Sequence, residues 1–118
     1  MHRDLKPGNI IWEAHTTSWV LIDFGLVAAI GNRAPVGFTP SYAAPEAAAA
    51  HKIKAHDMSV GTELDAWSLG VIALEMVLRK PVFGNSATFD EVWMSSESPP
   101  GTCHFYCLSV GLFTRFVF

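Results

Sequence analysis

The side chains best equipped for chemistry stand near the start of the chain. Asp4, Lys6 and Asn9 fall within the run His2-Arg3-Asp4-Leu5-Lys6-Pro7-Gly8-Asn9, and Asp23 follows Asn9 by fourteen residues, in Asp23-Phe24-Gly25. Carboxylate and amide oxygens are the ligands that magnesium prefers. A carboxylate and an amide on either side of a hairpin would bring two such oxygens to one ion. Taken singly, each residue has a plainer explanation. Aspartate favours turns and strand ends, and a loop lysine is ordinarily solvated. The placement of Asn9 in register with both aspartates favours the joint reading.

These residues need elements to position them. Residues 9–12 and 19–23 are β-branched and aromatic runs separated by the polar stretch 13–18, which predicts a short hairpin. Residues 24–45 are rich in Gly and Pro and carry no sustained period, so an irregular loop is expected. Pro45 and Glu46 followed by four alanines predict a short helix with proline near its first position. A polar connector, 51–61, leads to the strongest helix signal, 62–79. There Thr62 is a candidate N-cap and Arg79-Lys80-Pro81 a stop. Leu64, Trp67, Leu69, Val71, Ile72, Leu74, Met76, Val77 and Leu78 make this helix apolar nearly all round, so it belongs in the middle of a fold. Trp67 is read as core. A further short helix is expected at 88–94, and from Ser95 the composition turns to Ser, Pro and Gly and then to an aromatic tail.

In this order the motifs resemble those of the eukaryotic-type serine/threonine protein kinases. The run from His2 to Asn9 has the form of the family's catalytic loop, and Asp23-Phe24-Gly25 that of its metal-binding motif. Thr39-Pro40-Ser41-Tyr42-Ala43-Ala44-Pro45-Glu46 resembles the close of an activation segment, and Asp65-Ala66-Trp67-Ser68-Leu69-Gly70 the start of the buried central helix. The resemblance implies a partial kinase-like fold, the C-terminal lobe alone, mainly α with a small β-hairpin. It places a partial kinase domain at 1–94, with catalytic loop 2–9, metal motif 23–25, activation segment 23–46 and central helix 62–79. An irregular, unassigned tail would occupy 95–118.

The implied activity is ATP-dependent phosphorylation of protein serine and threonine residues, with ATP and Mg²⁺ as cofactors. Phosphoryl transfer asks a protein for alignment and charge neutralisation more than for covalent chemistry. By resemblance Asp4 accepts or orients the substrate hydroxyl proton, and Lys6 stabilises charge on the transferred group. Asp23 binds the metal that bridges the ATP phosphates, Asn9 holds a second ion, and Ile11 packs under adenine. Thr39, Tyr42 and Glu46 shape the substrate side, with Thr39 contacting Asp4 and Lys6. His2 and Phe24 resemble members of the family's hydrophobic spine, anchored by Asp65, and Gly25 completes the metal motif. Arg3 pairs in many relatives with a phosphate on the activation segment. Thr39 and Ser41 are the only serine or threonine hydroxyls between Phe24 and Glu46, so a phosphorylation switch there is not expected.

The sequence also departs from the family. Phe38 stands where relatives usually have Gly, the connector after Ala47 is long, and neither Arg79 nor Arg115 is assignable as the partner of Glu46. The Gly-rich phosphate loop, the strand lysine and its glutamate would all precede His2, as would the long helix behind the catalytic loop. The expectation is therefore a fragment that is inactive in isolation and that exposes apolar faces of its hairpin and of helix 62–79. Its partners would be a protein substrate and the missing upper lobe. Alternatives are a non-catalytic interaction module or decoy, and a small-molecule phosphotransferase, which the Ala44-Pro45-Glu46 segment disfavours.

Composition sets limits. The chain has 118 residues, half of them hydrophobic, with a mean hydropathy of +0.27. A net charge of -3 and a pI near 5.9 leave no basic footprint for nucleic acid. The apolar stretch 105–118 contains Arg115 and falls short of the ~20 residues of a spanning helix. No signal peptide or membrane span is expected, and the location expected is the cytoplasm. Cys103 and Cys107 lack a second ligand pair for zinc, and His15, His51, His56 and His104 lack metal spacing.

Overall fold

The computed structural model describes residues 1–83. The helix expected at 88–94, the tail, both cysteines, His104 and Arg115 lie outside the described residues.

The first hairpin pairs strand β1 (Ile10–Glu13) with β2 (Ser18–Leu21) in antiparallel register, Ile10 opposite Leu21 and Trp12 opposite Trp19. The branched and aromatic side chains suit a pleated surface. The two indoles meet edge-on, 5.3 Å between centroids, a cross-strand contact of the kind that contributes about 0.2–1 kcal/mol. A further bond from Ile22 N to Asn9 O, 3.0 Å, extends the pairing to the open end of the hairpin.

A second two-stranded sheet corrects the expectation of one hairpin followed by irregular loop and connector. Strand β3 (Arg33–Pro35) pairs antiparallel with β4 (Asp57–Ser59). Three-residue strands that include Pro35 and two polar residues of β4 carry too little alternation to stand out in a sequence. The flanking bonds run from Val60 N to Asn32 O and from Val36 N to His56 O. Pro35 is thus out of phase with the bonding positions and loses no ladder bond. Gly31, at φ 84°, turns the chain into this sheet.

Helix α1 (Pro45–Lys52) begins on its proline, as the sequence predicts, and runs two residues further than the alanine stretch. Helix α2 (Glu63–Leu78) occupies the predicted place, but Thr62 does not cap it with its side chain. Thr62 is already helical, at φ -65° and ψ -23°, and the Asp65 carboxylate that would complete the cap is engaged elsewhere. At the other end Arg79 adopts the left-handed conformation, φ 53°, a role more often given to glycine.

The core forms where these elements meet. Ala44, Ala47, Met58 and Leu64 are buried together, with Val36, Phe38, Ala50 and Trp67 packed against them. Trp67 is core, as expected. Phe38, at the position where glycine is usual, meets the His51 ring edge-on at 5.6 Å. Helix α2 buries Leu64, Ser68, Gly70, Val71 and Ile72. Its last turn leaves Met76 75% and Val77 78% exposed, and the hairpin leaves Trp19 69% exposed. These are the two places where the sequence predicts uncovered apolar surface.

Truncation of a packed leucine leaves a cavity as well as losing buried area. Leu64→Ala is expected to lower unfolding free energy by about 2–5 kcal/mol. Leu69→Ala, at a position 44% exposed, is expected to lower it by under about 1 kcal/mol. Urea denaturation of both variants checks the pair.

Candidate active site

The loop carrying Asp4 is fixed from beneath by helix α2. Both carboxylate oxygens of Asp65 accept backbone N–H bonds, from His2 at 2.7 Å and from Arg3 at 2.7 Å. Arg3 sits at φ 69°, in the left-handed region that a bulky residue adopts only under constraint. The His2 ring supports the same loop. Asp4 N lies 3.3 Å from its Nδ1 and needs an acceptor there. The ring proton therefore sits on Nε2, which donates to Ile22 O at 3.0 Å. The His2 ring also lies 5.3 Å from that of Phe24. His2, Phe24 and Asp65 are thus brought together.

Three side chains converge on Asp4. Lys6 Nζ donates to Oδ2 at 2.7 Å, and Thr39 Oγ1 donates to Oδ1 at 2.6 Å. Asn9 Nδ2 donates to the Asp4 carbonyl at 2.9 Å and to Oδ2 at 3.3 Å. Lys6 Nζ also donates to Thr39 Oγ1 at 2.9 Å, closing a triangle. Partial burial works to raise the pKa of the Asp4 carboxyl. Hydrogen bonds from Lys6 and Thr39, the charge of Lys6 and the bond from Asn9 outweigh burial and hold it below the ordinary 3.8. Asp4 is therefore an aimed, ionised acceptor at neutral pH.

Asn9 is buried, and because both its bonds use Nδ2, its Oδ1 has no hydrogen bond among the described residues. Asp23 lies at the open end of the hairpin, one residue beyond the Ile22–Asn9 bond, at φ 61°. Its Oδ1 accepts from Gly25 N at a long 3.3 Å, which leaves the carboxylate exposed. Asp23 makes no direct bond to Asp4 or Asn9. Among the described residues there is no cluster of three or more His, Cys, Asp or Glu placed to hold a metal. Magnesium is compatible with this sparse set, since it takes oxygen ligands, keeps several waters and uses one or two carboxylates. An amide oxygen without a hydrogen bond among the described residues and an exposed carboxylate held only by one long bond from Gly25 N fit it. Ile11, on the hairpin beside them, is 43% exposed.

The segment facing this loop is tied to α2 through Ser68 and through Glu75, a residue that no motif singles out. Tyr42 Oη donates to Glu75 Oε2 at 2.9 Å, and Ser68 Oγ lies 2.8 Å from Tyr42 O. Glu75 is the one acid in the apolar body of α2 beyond its first turn, and that isolation was the available signal. Desolvation, the bond to Glu75 and the Glu75 charge push the Tyr42 hydroxyl up to about 12. Glu46 has no basic partner among the described residues. Desolvation, partly offset by a backbone hydrogen bond, and the neighbouring Glu63 charge hold its pKa above the ordinary value. Arg3 is neither solvated nor free to meet a phosphate. Its guanidinium is buried and donates to Leu26 O at 3.1 Å and to Pro35 O.

Comparison with known proteins follows the same outline. The protein kinase domain family model matches residues 1–102. The serine/threonine-protein kinase Kist of Mus musculus is 43% identical over 82 residues, covering 64% of this chain, and Kist of Homo sapiens matches equally. The chain spans 19% of the length of these relatives. Among solved structures, the Cydia pomonella granulovirus kinase PK-1 superposes with a TM-score of 0.64 at 22% identity. That match covers 94% of this chain and 43% of the viral one, and it supports the fold.

The Tyr42–Glu75 bond makes a pH prediction. The folded state holds the phenolic proton more tightly than the unfolded state, whose tyrosine titrates near 10. That stabilisation is fully present below pH 10 and is lost as pH rises towards about 12. Tyr42→Phe is expected to cost about 1–2 kcal/mol at pH 8. It should also flatten the alkaline fall in stability, as measured by urea titrations across that range.

Proposed function

Because this chain belongs to the protein kinase family, we propose that it supplies the catalytic-loop side of a serine/threonine protein kinase site. The reaction is transfer of phosphate from ATP to protein hydroxyls. The observation that carries this reading is the Asp4 carboxylate, kept ionised and aimed by Lys6, Thr39 and Asn9. A substrate hydroxyl beside Asp4 would find an acceptor for its proton, already oriented before the substrate arrives. Lys6, held between Asp4 and Thr39, keeps a positive charge next to the position where phosphate charge is passed on. Thr39 ties the substrate-side segment to that pair, so the hydroxyl-bearing peptide and the acid are positioned together. Tyr42 and Glu46 belong to the same substrate side.

Asn9, through Oδ1, and Asp23 are the residues that would hold magnesium, and Ile11 is the hairpin residue that would lie under adenine. Magnesium, when bound with the nucleotide, supplies neutralisation of the phosphate charges. The preference for serine and threonine over tyrosine rests on Leu5-Lys6-Pro7 and Thr39, and on the Kist relatives. The sequence holds no Gly-x-Gly-x-x-Gly run, so these residues provide one wall of a nucleotide cleft. The proposal includes weak binding by residues 1–118 alone.

A second reading, an interaction module without catalysis, draws on the exposed hairpin residues Ile11, Trp12 and Trp19. A phosphate-transfer assay separates the two, using the longest protein that carries these residues. Asp4→Asn and Lys6→Met are each expected to lower kcat by about 10²-fold or more. Asp23→Ala is expected to abolish transfer. Equal phosphate incorporation by wild type and Asp23→Ala would eliminate this site as the catalyst. Calorimetry on residues 1–118 should give an ATP·Mg²⁺ dissociation constant of about 1 mM or weaker, and micromolar affinity would refute the one-wall account.

A further inference from the structure

Segment 24–46 bears Thr39 and so determines whether the Asp4–Lys6–Thr39 triangle can close. Besides its ties to α2 through Tyr42, two further sets of bonds hold it. From the connector side, β4 pairs with β3, and flanking bonds join Gly31 N to Val60 O at 2.8 Å and Val60 N to Asn32 O at 2.9 Å. Val60 itself is only 2% exposed, so this ribbon is rooted in the core. Arg33 reinforces it from the outside, donating from Nε to Asp57 Oδ1 at 2.6 Å and from Nη2 to Asp57 O at 3.0 Å. From the loop side, the Arg3 guanidinium reaches two carbonyls nine residues apart, Leu26 and Pro35. Arg3 is 7% exposed, and its Nε has no partner among the described residues. A charged group in that position is strongly committed to the acceptors it has. Gly37 allows the segment to lie close to Leu26, since a Cβ there would come within 2.9 Å of the leucine side chain.

We infer that this segment is ordered by a built-in clamp, the 57–60 connector strand on one side and the Arg3 guanidinium on the other, and that its order needs no phosphate. The cation that a phosphate would recruit is already engaged with main-chain oxygen. Of the nearby hydroxyls, that of Thr39 is shared between Asp4 and Lys6, and that of Tyr42 is bound to Glu75. A phosphate on Thr39 would add negative charge directly against Asp4 and break the triangle. The long connector thereby gains a purpose, since it reaches back to brace the segment.

The inference concerns regulation of the proposed site and rests on that reading only for its consequence; the clamp itself is tested without catalysis. The 118-residue chain would be treated with phosphatase, shown by intact mass to carry no phosphate, and followed by amide hydrogen exchange. The amides of Gly31, Val36 and Val60 are expected to exchange at least ~100-fold more slowly than in an unstructured peptide. Arg3→Lys keeps the charge but loses the two-carbonyl fork, and should speed exchange across 26–36 by about tenfold while leaving α2 unchanged. Free-peptide exchange in the phosphate-free chain, with protection appearing only after phosphate is placed on Ser41 or Thr39, would overturn the clamp. So would identical exchange in Arg3→Lys and wild type. A chain that transfers no phosphate yet shows the protected pattern would leave the clamp standing and count against the function alone.

Discussion

One carboxylate organises the molecule. Asp65, in the first turn of α2, accepts the backbone N–H groups of two successive residues, His2 and Arg3, more than sixty positions away in sequence. The left-handed backbone at Arg3 costs about 1–3 kcal/mol. Hydrogen bonds to a charged acceptor contribute about 1.5–3 kcal/mol each, so two of them are enough to hold the strained turn. With that turn fixed, Arg3 points towards the Leu26 and Pro35 carbonyls and Asp4 towards Lys6, Thr39 and Asn9. The neighbouring positions can then serve opposite purposes, one structural and one chemical.

The chemical group is held in the same way, by more contacts than one position needs. Asp4 is fixed by an ammonium, a hydroxyl and an amide contributed by Lys6, Thr39 and Asn9. The first two also bond to each other, so movement of the segment bearing Thr39 would disturb both at once. That segment is in turn tied to α2 through Tyr42, Ser68 and Glu75. Helix α2 thus supports the acid loop with Asp65 at one end and the substrate-side segment with Glu75 further along. A central helix that is apolar except at such points can act as a rigid spacer between them.

Much of this was legible in the sequence, for reasons particular to each residue. Asp4, Lys6, Asn9 and Thr39 could be found because their chemistry resides in side chains whose types and order are distinctive. The hairpin and α2 showed themselves through long apolar runs. The β3–β4 ribbon did not, because three residues with a proline give no periodicity, and its stability comes from main-chain bonds that any residue can make. Arg3 was located, but its partners are the carbonyls of Leu26 and Pro35, which no residue type announces. Thr62 looked like a cap because local rules could not foresee that Asp65, its natural companion, is occupied by a loop distant in sequence. Glu75 was visible as a lone acid among apolar neighbours, and only the fold supplied Tyr42 as the reason.

If Asp65 sets the geometry on which Asp4 depends, the two carboxylates are linked although they never touch. The most direct test is to follow the Asp4 carboxyl carbon by NMR through an acid titration, in the wild-type chain and in Asp65→Asn. The account predicts a wild-type pKa below 3.8 and a measurable rise in Asp65→Asn, as the loop relaxes away from Lys6 and Thr39. An unchanged Asp4 pKa in a folded Asp65→Asn chain would contradict it.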